Sequence, residues 1–385
     1  MAETQSKIGQ YFTTNLDLKE HLYGFILNHP SLILEPSIGR GDLVMHIKNK
    51  VRDVKFEMYE IDKTIKFLEG IDVDEVIFGD FLKQNIKKKY STIVGNPPFV
   101  RTKKGNLYID FIKKCYNLLE DGGELVFIVP SDFFKLTSAS ALLNEMMEKG
   151  VFTHVYHPND EKMFEGASID VMIFRYCKDE SLEKRAMYNG RDMRIINSYG
   201  LITFSDRDDA EGILIEDLFD VYVGMVSGRD EIYKNDELGN IEVLNGEGRK
   251  DRYIFIEEYP SEDEEINDYL LEYKDDLLKR KIKKFSERNW FEWGAPRNMS
   301  TVNEKMGTEC IYIYNLTRQS RVAFKGEVQY FGGGLIMLIP KVRCCVERVI
   351  SFLNSDEFKN NFMFSGRFKI GHRQICNSFI PKSCL

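Results

Sequence analysis

Short apolar runs alternate with helix-like stretches over roughly the first 180 residues of the chain. The runs predict seven strands, and the stretches between them predict four helices. The predicted strands are Leu32–Leu34, Phe56–Tyr59, Val76–Phe78, Thr92–Val94, Leu125–Val129, Val155–Tyr156 and Val171–Phe174, and the predicted helices are Asp17–Asn28, Asp42–Lys48, Leu107–Leu119 and Ala139–Lys149. This alternation is typical of an α/β fold with a parallel sheet and crossover helices.

The alternation gives way beyond about Tyr176 to segments punctuated by Gly, Asp and Asn. We therefore predict a boundary near 205–215 and two domains, residues 1–210 and residues 211–385. A chain of 385 residues is long enough for both. No stretch approaches the 18 or so consecutive apolar residues of a membrane span, and Met1 to Gln10 lacks the apolar core of a secretory signal.

Composition and charge add to this picture. The seven cysteines form no C-x-x-C pair, which favours reduced thiols in a cytoplasmic protein and no metal site. The net charge is −8, yet the chain from Lys281 onward carries 17 Lys and Arg against 8 Asp and Glu. Such an asymmetry occurs in proteins that bind a polyanion, and the alternative is an ordinary solvated surface. The segment 257–276 holds ten acids and one lysine, so we expect it to face away from nucleic acid.

Acidic residues follow three successive predicted strands. Glu35 begins a loop with two glycines, Glu60 ends the second strand, and Asp80 follows the third. Ligands of open α/β sheets bind at these carboxyl ends, where an acid accepts hydrogen bonds from ribose or amino groups. Three acids suit a neutral or cationic nucleoside better than a phosphate, which points to an adenosyl-sulfonium cofactor over NAD or ATP. The alternatives are turn chemistry in the glycine loop and a helix N-cap at Asp62.

The fourth strand runs into Asn96-Pro97-Pro98-Phe99. Two prolines cannot continue a central strand, and they hold the neighbouring groups rigidly. The side-chain oxygen of Asn96 and the carbonyl of Pro97 are two acceptors that can bind both hydrogens of an aromatic amine and localise its lone pair. Phe99 would stack on the ring of that amine. The alternative is a simple Asn-Pro turn.

With these motifs in order, the sequence resembles the S-adenosylmethionine-dependent DNA adenine-N6 methyltransferases of the gamma motif order, the TaqI-like group. The resemblance covers about residues 7–178. Asn96-Pro97-Pro98-Phe99 matches the amino-methylating motif, Lys7 to Thr13 the N-terminal cofactor segment, and Glu35-Pro36-Ser37 the first-strand motif. It implies a Rossmann-like methyltransferase sheet with flanking helices, followed by a C-terminal α+β target-recognition domain.

The same resemblance assigns roles to individual residues. It implies that Glu60 binds the ribose, Asp80 the adenine amino group, and Phe81 the adenine face of S-adenosyl-L-methionine. Cofactor contacts are also expected from Thr13, Glu35, Pro36, Ser37, Ile38, Ile61, Pro98 and Phe111. Asn96, Pro97 and Phe99 would act on the target base. Phe164, in the segment Met163–Ser168, would stack on the flipped base, and the alternative for Phe164 is an aromatic of the core.

The basic C-terminal third holds the candidate DNA contacts. Arginine can read guanine, asparagine can read adenine, and lysine can hold phosphate. The candidates are Lys283, Lys284, Trp293, Arg297, Asn298, Arg318 and Arg321. Solvated surface is the alternative for the charged residues, and core packing is the alternative for Trp293.

Together the patterns and the resemblance predict a site-specific DNA adenine methyltransferase that acts on double-stranded DNA, and the resemblance implies that it acts as a monomer. We expect it to belong to a restriction-modification system, in which a cognate restriction endonuclease would act separately. Asn-Pro-Pro-aromatic also occurs in methyltransferases of a protein glutamine amide or of guanine N2 in RNA, which usually lack such a basic, aromatic C-terminal region. A third interpretation is a DNA-binding module that has lost activity, against which the intact Asn96 motif argues.

Overall fold

A computed structural model describes residues 11–103, 105–207 and 212–382 of the chain. Residues Lys7 to Gln10 of the expected cofactor segment lie outside the described residues. The chain divides into two compact units, Met1–Ala210 with Met363–Gly366 and Glu211–Phe362 with Arg367–Leu385. Within the described ranges, no helix is both long and apolar enough to span a bilayer.

The described residues up to 207 contain twelve strands of the first unit, and ten of these strands form one sheet. They are β1 Leu32–Glu35, β2 Lys55–Glu60, β3 Val76–Phe78, β4 Tyr90–Gly95, β5 Arg101–Thr102, β6 Gly105–Asn106, β7 Leu119–Pro130, β8 Val151–Tyr156, β9 Val171–Cys177, β10 Arg185–Tyr188, β11 Arg191–Ser198 and β12 Leu201–Ser205. The sheet order is β12-β11-β10-β8-β9-β7-β4-β1-β2-β3, and β5 and β6 form a separate hairpin.

The direction of the strands agrees with the prediction in one half of the sheet and differs in the other, where β9 and β11 are antiparallel to their neighbours. Strands β3, β2, β1, β4 and β7 are parallel, as the βα alternation predicts. Strand β9 is antiparallel to both of its neighbours, β7 and β8. A wholly parallel sheet is therefore wrong, because the segment between β8 and β9 is a non-helical connection that reverses the chain.

All four predicted helices are present: α1 Leu16–Gly24, α2 Asp42–Lys50, α3 Leu107–Leu118 and α4 Ser140–Lys149. Helix α1 starts at Asn15, whose side chain accepts from the backbone N–H of Leu18. It ends four residues before the predicted Asn28. The side chain of Asn28 instead donates to the carbonyls of Ser91 and Gly122, and these bonds draw the chain away from helical geometry.

The sheet separates two apolar layers. Neighbouring residues of β4 belong to different layers: Ile93 packs with residues of α3 and α4, while Val94 packs with residues of α1 and α2. The same alternation continues in β7, where Phe127 and Ile128 lie in opposite layers and are fully buried. Because both faces are covered, the carboxyl edge of the strands is left to bind a ligand.

The second unit is α+β. Its elements are β13 Gly212–Leu214, α5 Ile215–Leu218, β14 Phe219–Val223, α6 Asp230–Tyr233, β15 Ile241–Gly246, β16 Arg249–Tyr253, α7 Glu264–Glu272, α8 Lys274–Leu278, α9 Met299–Lys305, β17 Glu309–Tyr314, β18 Leu316–Thr317, β19 Ala323–Glu327, β20 Leu335–Pro340, α10 Val346–Leu353, α11 Asp356–Lys359, β22 Arg367–Lys369, α12 His372–Cys376 and β23 Phe379–Pro381, while β21 Met363–Phe364 lies in the first unit. Strands β14, β20, β17 and β19 form an antiparallel sheet.

Candidate active site

A cavity of about 210 Å³ lies at the carboxyl ends of β1 to β4. Eight of the eleven residues expected to bind the cofactor line this cavity. Asn96 lines it too, as do residues for which the sequence predicted no role. The lining residues are Tyr11, Phe12, Pro36, Ser37, Gly39, Glu60, Ile61, Gly79, Asp80, Phe81, Leu82, Asn96, Pro98, Leu107 and Phe111. The four predicted strand ends thus converge on one pocket.

Glu60 is held in this wall by three backbone donors. One carboxylate oxygen accepts from the N–H of Gly39 at 2.9 Å, and the other accepts from the N–H groups of Ile61 and Asp62, each at 2.9 Å. Burial raises the pKa of Glu60, and the three N–H groups oppose that rise. Asp62 caps a turn through Thr64 and no helix follows it, so the predicted helix N-cap is wrong.

Glu35 lies behind the cavity and does not line it. Its carboxylate is only 1% exposed and accepts from the N–H of Ser37 at 3.0 Å. Burial raises the pKa of Glu35 to about 8. A Cβ on Gly95 would lie 3.1 Å from this carboxylate, so glycine at the end of β4 allows β1 and its acid to approach closely. Ile38 is likewise buried behind the wall, where its N–H donates to the carbonyl of Tyr59.

The third strand end supplies an acid and an aromatic ring. Asp80 accepts from the N–H of Leu82 at 3.0 Å and forms an ion pair with Lys83 at 3.2 Å. Phe81 stacks on Phe111, with 5.6 Å between ring centroids and 22° between planes. The Lys114 ammonium lies 4.6 Å from the centroid of Phe81 and donates to the carbonyls of Phe81 and Gln84. This lysine fixes the turn that carries Phe81 in the cavity wall.

The N-terminal segment closes the cavity with the rings of Tyr11 and Phe12, neither of which was predicted to lie there. Phe12 lines the pocket beneath the Arg40 guanidinium, whose central carbon lies 4.7 Å from the ring centroid. Arg40 is itself held by Asp42 in a two-point contact of 3.1 and 3.2 Å. The signal available in the sequence was the pair of aromatics before Thr13.

Asn96 stands between the cavity and a group of aromatic rings. Its side-chain nitrogen donates to the Tyr11 carbonyl at 2.7 Å and to the Thr13 hydroxyl at 3.1 Å. Its side-chain oxygen is buried and has no hydrogen-bond partner among the described residues. Pro97 is buried beside it, and the Ser37 hydroxyl donates to the Asn96 carbonyl at 3.4 Å. Thr13 therefore contacts Asn96, although the resemblance implies a cofactor contact.

Tyr11, Phe99 and Phe164 form a triangle of rings next to Asn96. The ring centroids of Tyr11 and Phe99 lie 5.8 Å apart, those of Tyr11 and Phe164 5.9 Å apart, and those of Phe99 and Phe164 6.2 Å apart. Phe164 is 3% exposed and packs with Leu18 and Ile173 in one apolar layer. Phe164 is therefore a core residue that also contacts the ring of Phe99.

Four of the seven candidate DNA-contacting side chains already have hydrogen-bond or ion-pair partners within the second unit. Trp293 is 3% exposed, and its indole N–H donates to the Ile254 carbonyl, so it is a core residue and not a surface contact. The Asn298 amide donates to the Val223 carbonyl at 2.8 Å. Lys283 pairs with Glu292 at 2.8 Å, and Arg321 pairs with Glu247 at 3.0 Å.

The other three candidates present their charges to solvent. Lys284, Arg297 and Arg318 are exposed, and their side chains have no partner among the residues that the structure describes. The described ranges also contain no group of three His, Cys, Asp or Glu residues arranged to hold a metal ion.

Comparison with known proteins places this geometry in a family context. Residues 42–164 match the model of the Eco57I restriction-modification methylase family. The type II methyltransferase M.HindII of Haemophilus influenzae is 26% identical over 90% of this chain and 83% of its own length. M.HincII of the same species is 31% identical over 47% of this chain and 39% of its own length.

The fold is also found among solved structures. The type IIL restriction-modification enzyme MmeI, solved in complex with DNA, matches with a TM-score of 0.58 at 12% identity, over 94% of this chain and 63% of MmeI. The chain thus spans less than two thirds of MmeI and of M.HincII. By sequence it is a homologue of restriction-modification methyltransferases. By fold it resembles MmeI, a restriction-modification enzyme.

Proposed function

We propose that this protein is a sequence-specific DNA methyltransferase that methylates the N6 amino group of an adenine flipped out of double-stranded DNA. The observation that carries the proposal is the side-chain oxygen of Asn96, a buried acceptor without a partner among the described residues. A buried acceptor left unpaired costs free energy, about 1–3 kcal/mol, unless a ligand satisfies it. A hydrogen of the target amine is such a ligand.

The cavity suits the proposed cofactor in charge and shape. Its wall contains the carboxylates of Glu60 and Asp80 and the ring of Phe81, and Glu35 lies directly behind it. Acids repel phosphates and attract a cationic sulfonium or ammonium group, while Phe81 offers an apolar face to adenine. Glu60 would accept from the ribose hydroxyls, and Asp80 from the adenine amino group.

Asn96 and Pro97 would prepare the amine. Two acceptors bound to both amine hydrogens localise the nitrogen lone pair, and the two prolines hold these acceptors in place. When bound, the cofactor supplies a methyl group on a sulfonium, so that a carbon–nitrogen bond forms, the carbon–sulfur bond breaks with its electron pair going to sulfur, and the amine releases one proton.

Base flipping would require the aromatic triangle to open. With Phe99 and Phe164 only 6.2 Å apart at 73°, no base fits between them in this arrangement. Entry of adenine would therefore displace Tyr11 or Phe164, and stacking on the freed rings would partly offset the cost of unpairing. In the second unit, Lys284, Arg297 and Arg318 would supply DNA contacts, since their charges are exposed.

The relatives favour DNA over the alternative substrates, a glutamine amide or guanine N2 in RNA, since both relatives compared are type II methyltransferases. We further propose a cytoplasmic monomer in a restriction-modification system, with a cognate restriction endonuclease acting separately. These properties follow from the resemblance and from the reduced state expected for the cysteines.

The test is methyl transfer from tritiated S-adenosylmethionine to unmodified plasmid DNA, followed by mass spectrometry of the nucleosides. We expect N6-methyladenine in one sequence context, and we expect Asn96→Ala to lose at least a hundredfold in turnover while S-adenosylhomocysteine still binds. Label in another nucleoside would refute the adenine assignment. Label in RNA or release-factor protein, and none in DNA, would refute the DNA substrate.

A further inference from the structure

The orientation of the Asn96 side chain is set by two groups of the N-terminal segment. The amide nitrogen has two hydrogens, and the Tyr11 carbonyl and the Thr13 hydroxyl each accept one of them, at 2.7 and 3.1 Å. Thr13 is 3% exposed, so water does not compete freely for this bond. The amide oxygen is left as the unpaired atom.

The opposite orientation of the amide is unfavourable on electrostatic grounds. Exchanging oxygen and nitrogen would bring the Asn96 oxygen within 2.7 Å of the Tyr11 carbonyl oxygen, which is an acceptor and cannot donate. It would also turn the NH₂ group toward the incoming amine, so that two donors face each other. The proposed reaction needs an acceptor at this point, and therefore only one of the two orientations is productive.

We infer that Thr13 and the Tyr11 carbonyl are positioning groups that hold the Asn96 oxygen toward the target amine. The inference rests on the proposed function and extends it, because the resemblance implies only cofactor binding for Thr13. Thr13 acts through Asn96 and touches no reacting atom, so it is not a catalytic residue.

The surrounding chain keeps these two acceptors in place. The N–H of Thr14 donates to the Phe12 carbonyl at 2.9 Å and forms a tight turn between them. Asn15 then caps helix α1, and Leu18 and Leu22 of that helix are fully buried. The segment is therefore anchored to the core through helix α1, next to the strand that carries Asn96.

The experiment compares Thr13→Val with Thr13→Ser in the full chain. Valine has nearly the same shape but no acceptor, whereas serine retains the hydroxyl. We expect Thr13→Val to lose tenfold or more in kcat on plasmid DNA at saturating cofactor. Its Kd for S-adenosylhomocysteine should stay within about twofold and its melting temperature within a few degrees, and serine should recover most of the lost turnover.

Two results would overturn the inference. A loss of S-adenosylhomocysteine affinity as large as the loss of kcat would make Thr13 a cofactor ligand, and wild-type kcat in Thr13→Val would remove its role altogether. A double variant adds a further test. Because Thr13 acts through Asn96, adding Thr13→Val to Asn96→Ala should cause no further loss of the residual transfer, and a multiplicative loss would argue against it.

A spectroscopic measurement separates this inference from the proposed function. The side-chain NH₂ resonances of Asn96 can be assigned by their absence in Asn96→Ala, in protein without DNA. We expect one of the two protons to shift markedly in Thr13→Val and to return toward its original position in Thr13→Ser. If wild-type protein fails to methylate DNA, the proposed function falls, yet this shift still decides the orientation. Unchanged resonances in Thr13→Val would overturn the inference itself.

Discussion

Glu60→Gln tests the structural role of Glu60 separately from its proposed role in cofactor binding. Glutamine is the same size, and its oxygen can keep the bonds from Ile61 and Asp62. Its NH₂ group then faces the N–H of Gly39, which lies 2.9 Å from the second carboxylate oxygen. One buried donor loses its acceptor, which costs about 1–3 kcal/mol of folding stability.

The same substitution removes the charge that would accept the ribose hydroxyls. Hydrogen bonds to charged groups contribute about 1.5–3 kcal/mol, which corresponds to roughly a tenfold to hundredfold loss of affinity. Urea denaturation without ligand measures the first effect, and calorimetry with S-adenosylhomocysteine measures the second. Asp62→Asn is the matched control, because it removes one charge two residues away, outside the lining of the cavity. Wild-type affinity in Glu60→Gln would refute the assignment of this strand end to the cofactor.

Three further predictions concern other residues of the two units. The pKa of Glu35 is raised to about 8, from 4.5 in an unburied group, so its protonation stabilises the folded state fully below about pH 4.5, and this contribution is lost as the pH rises toward 8. Urea titrations should therefore show wild type losing stability relative to Glu35→Gln between pH 5 and 8. Parallel curves of stability against pH for the two proteins would contradict the raised pKa. If Phe164 stacks on the extruded base, Phe164→Ala should impair methyl transfer more on an intact target than on a mismatched one, and 2-aminopurine fluorescence at the target position should report a matching loss of base extrusion. Equal losses of methyl transfer on both duplexes would mark a purely core residue. If Arg297 reads a base, Arg297→Ala should weaken target binding by about 1–3 kcal/mol and reduce the difference in affinity between target and unrelated DNA. An equal loss of affinity on all sequences, with a reduced salt dependence, would indicate a phosphate contact.

The sequence predicted seven strands and four helices of the first unit, where local pattern and tertiary packing agree, but not β5, β6 or β10 to β12. Residues Ile93 and Val94 alternate between two apolar layers, and acids follow the strands at the edge where parallel strands end together. The direction of β9 could not be predicted in this way, since alternation gives the same signal for either direction. Nor could the early end of α1, which depends on bonds from Asn28 to residues more than sixty positions away.

Side-chain partners were harder to predict than strand ends. Trp293 stands beside Arg297 in a basic stretch, which favours a DNA surface, but its indole N–H is satisfied by a carbonyl in the core. Glu35 follows a strand as Glu60 does, yet it lies behind the cavity while Glu60 lines it. Such differences depend on contacts between distant parts of the chain, and spacing along the sequence carries no information about them.

The distribution of charge reconciles an acidic protein with a polyanionic partner. In the proposed function the acids at the strand ends face a cationic cofactor, and Glu60 among them is buried and held by backbone N–H groups. Phosphate contacts need cations that are free to displace the counterions condensed on DNA. Lys283 and Arg321 are already paired with glutamates, so engaging DNA would first break those pairs. Lys284, Arg297 and Arg318 carry no such cost, because no described residue pairs with them, so we expect these three to contribute more to the electrostatic part of DNA binding than Lys283 and Arg321 do.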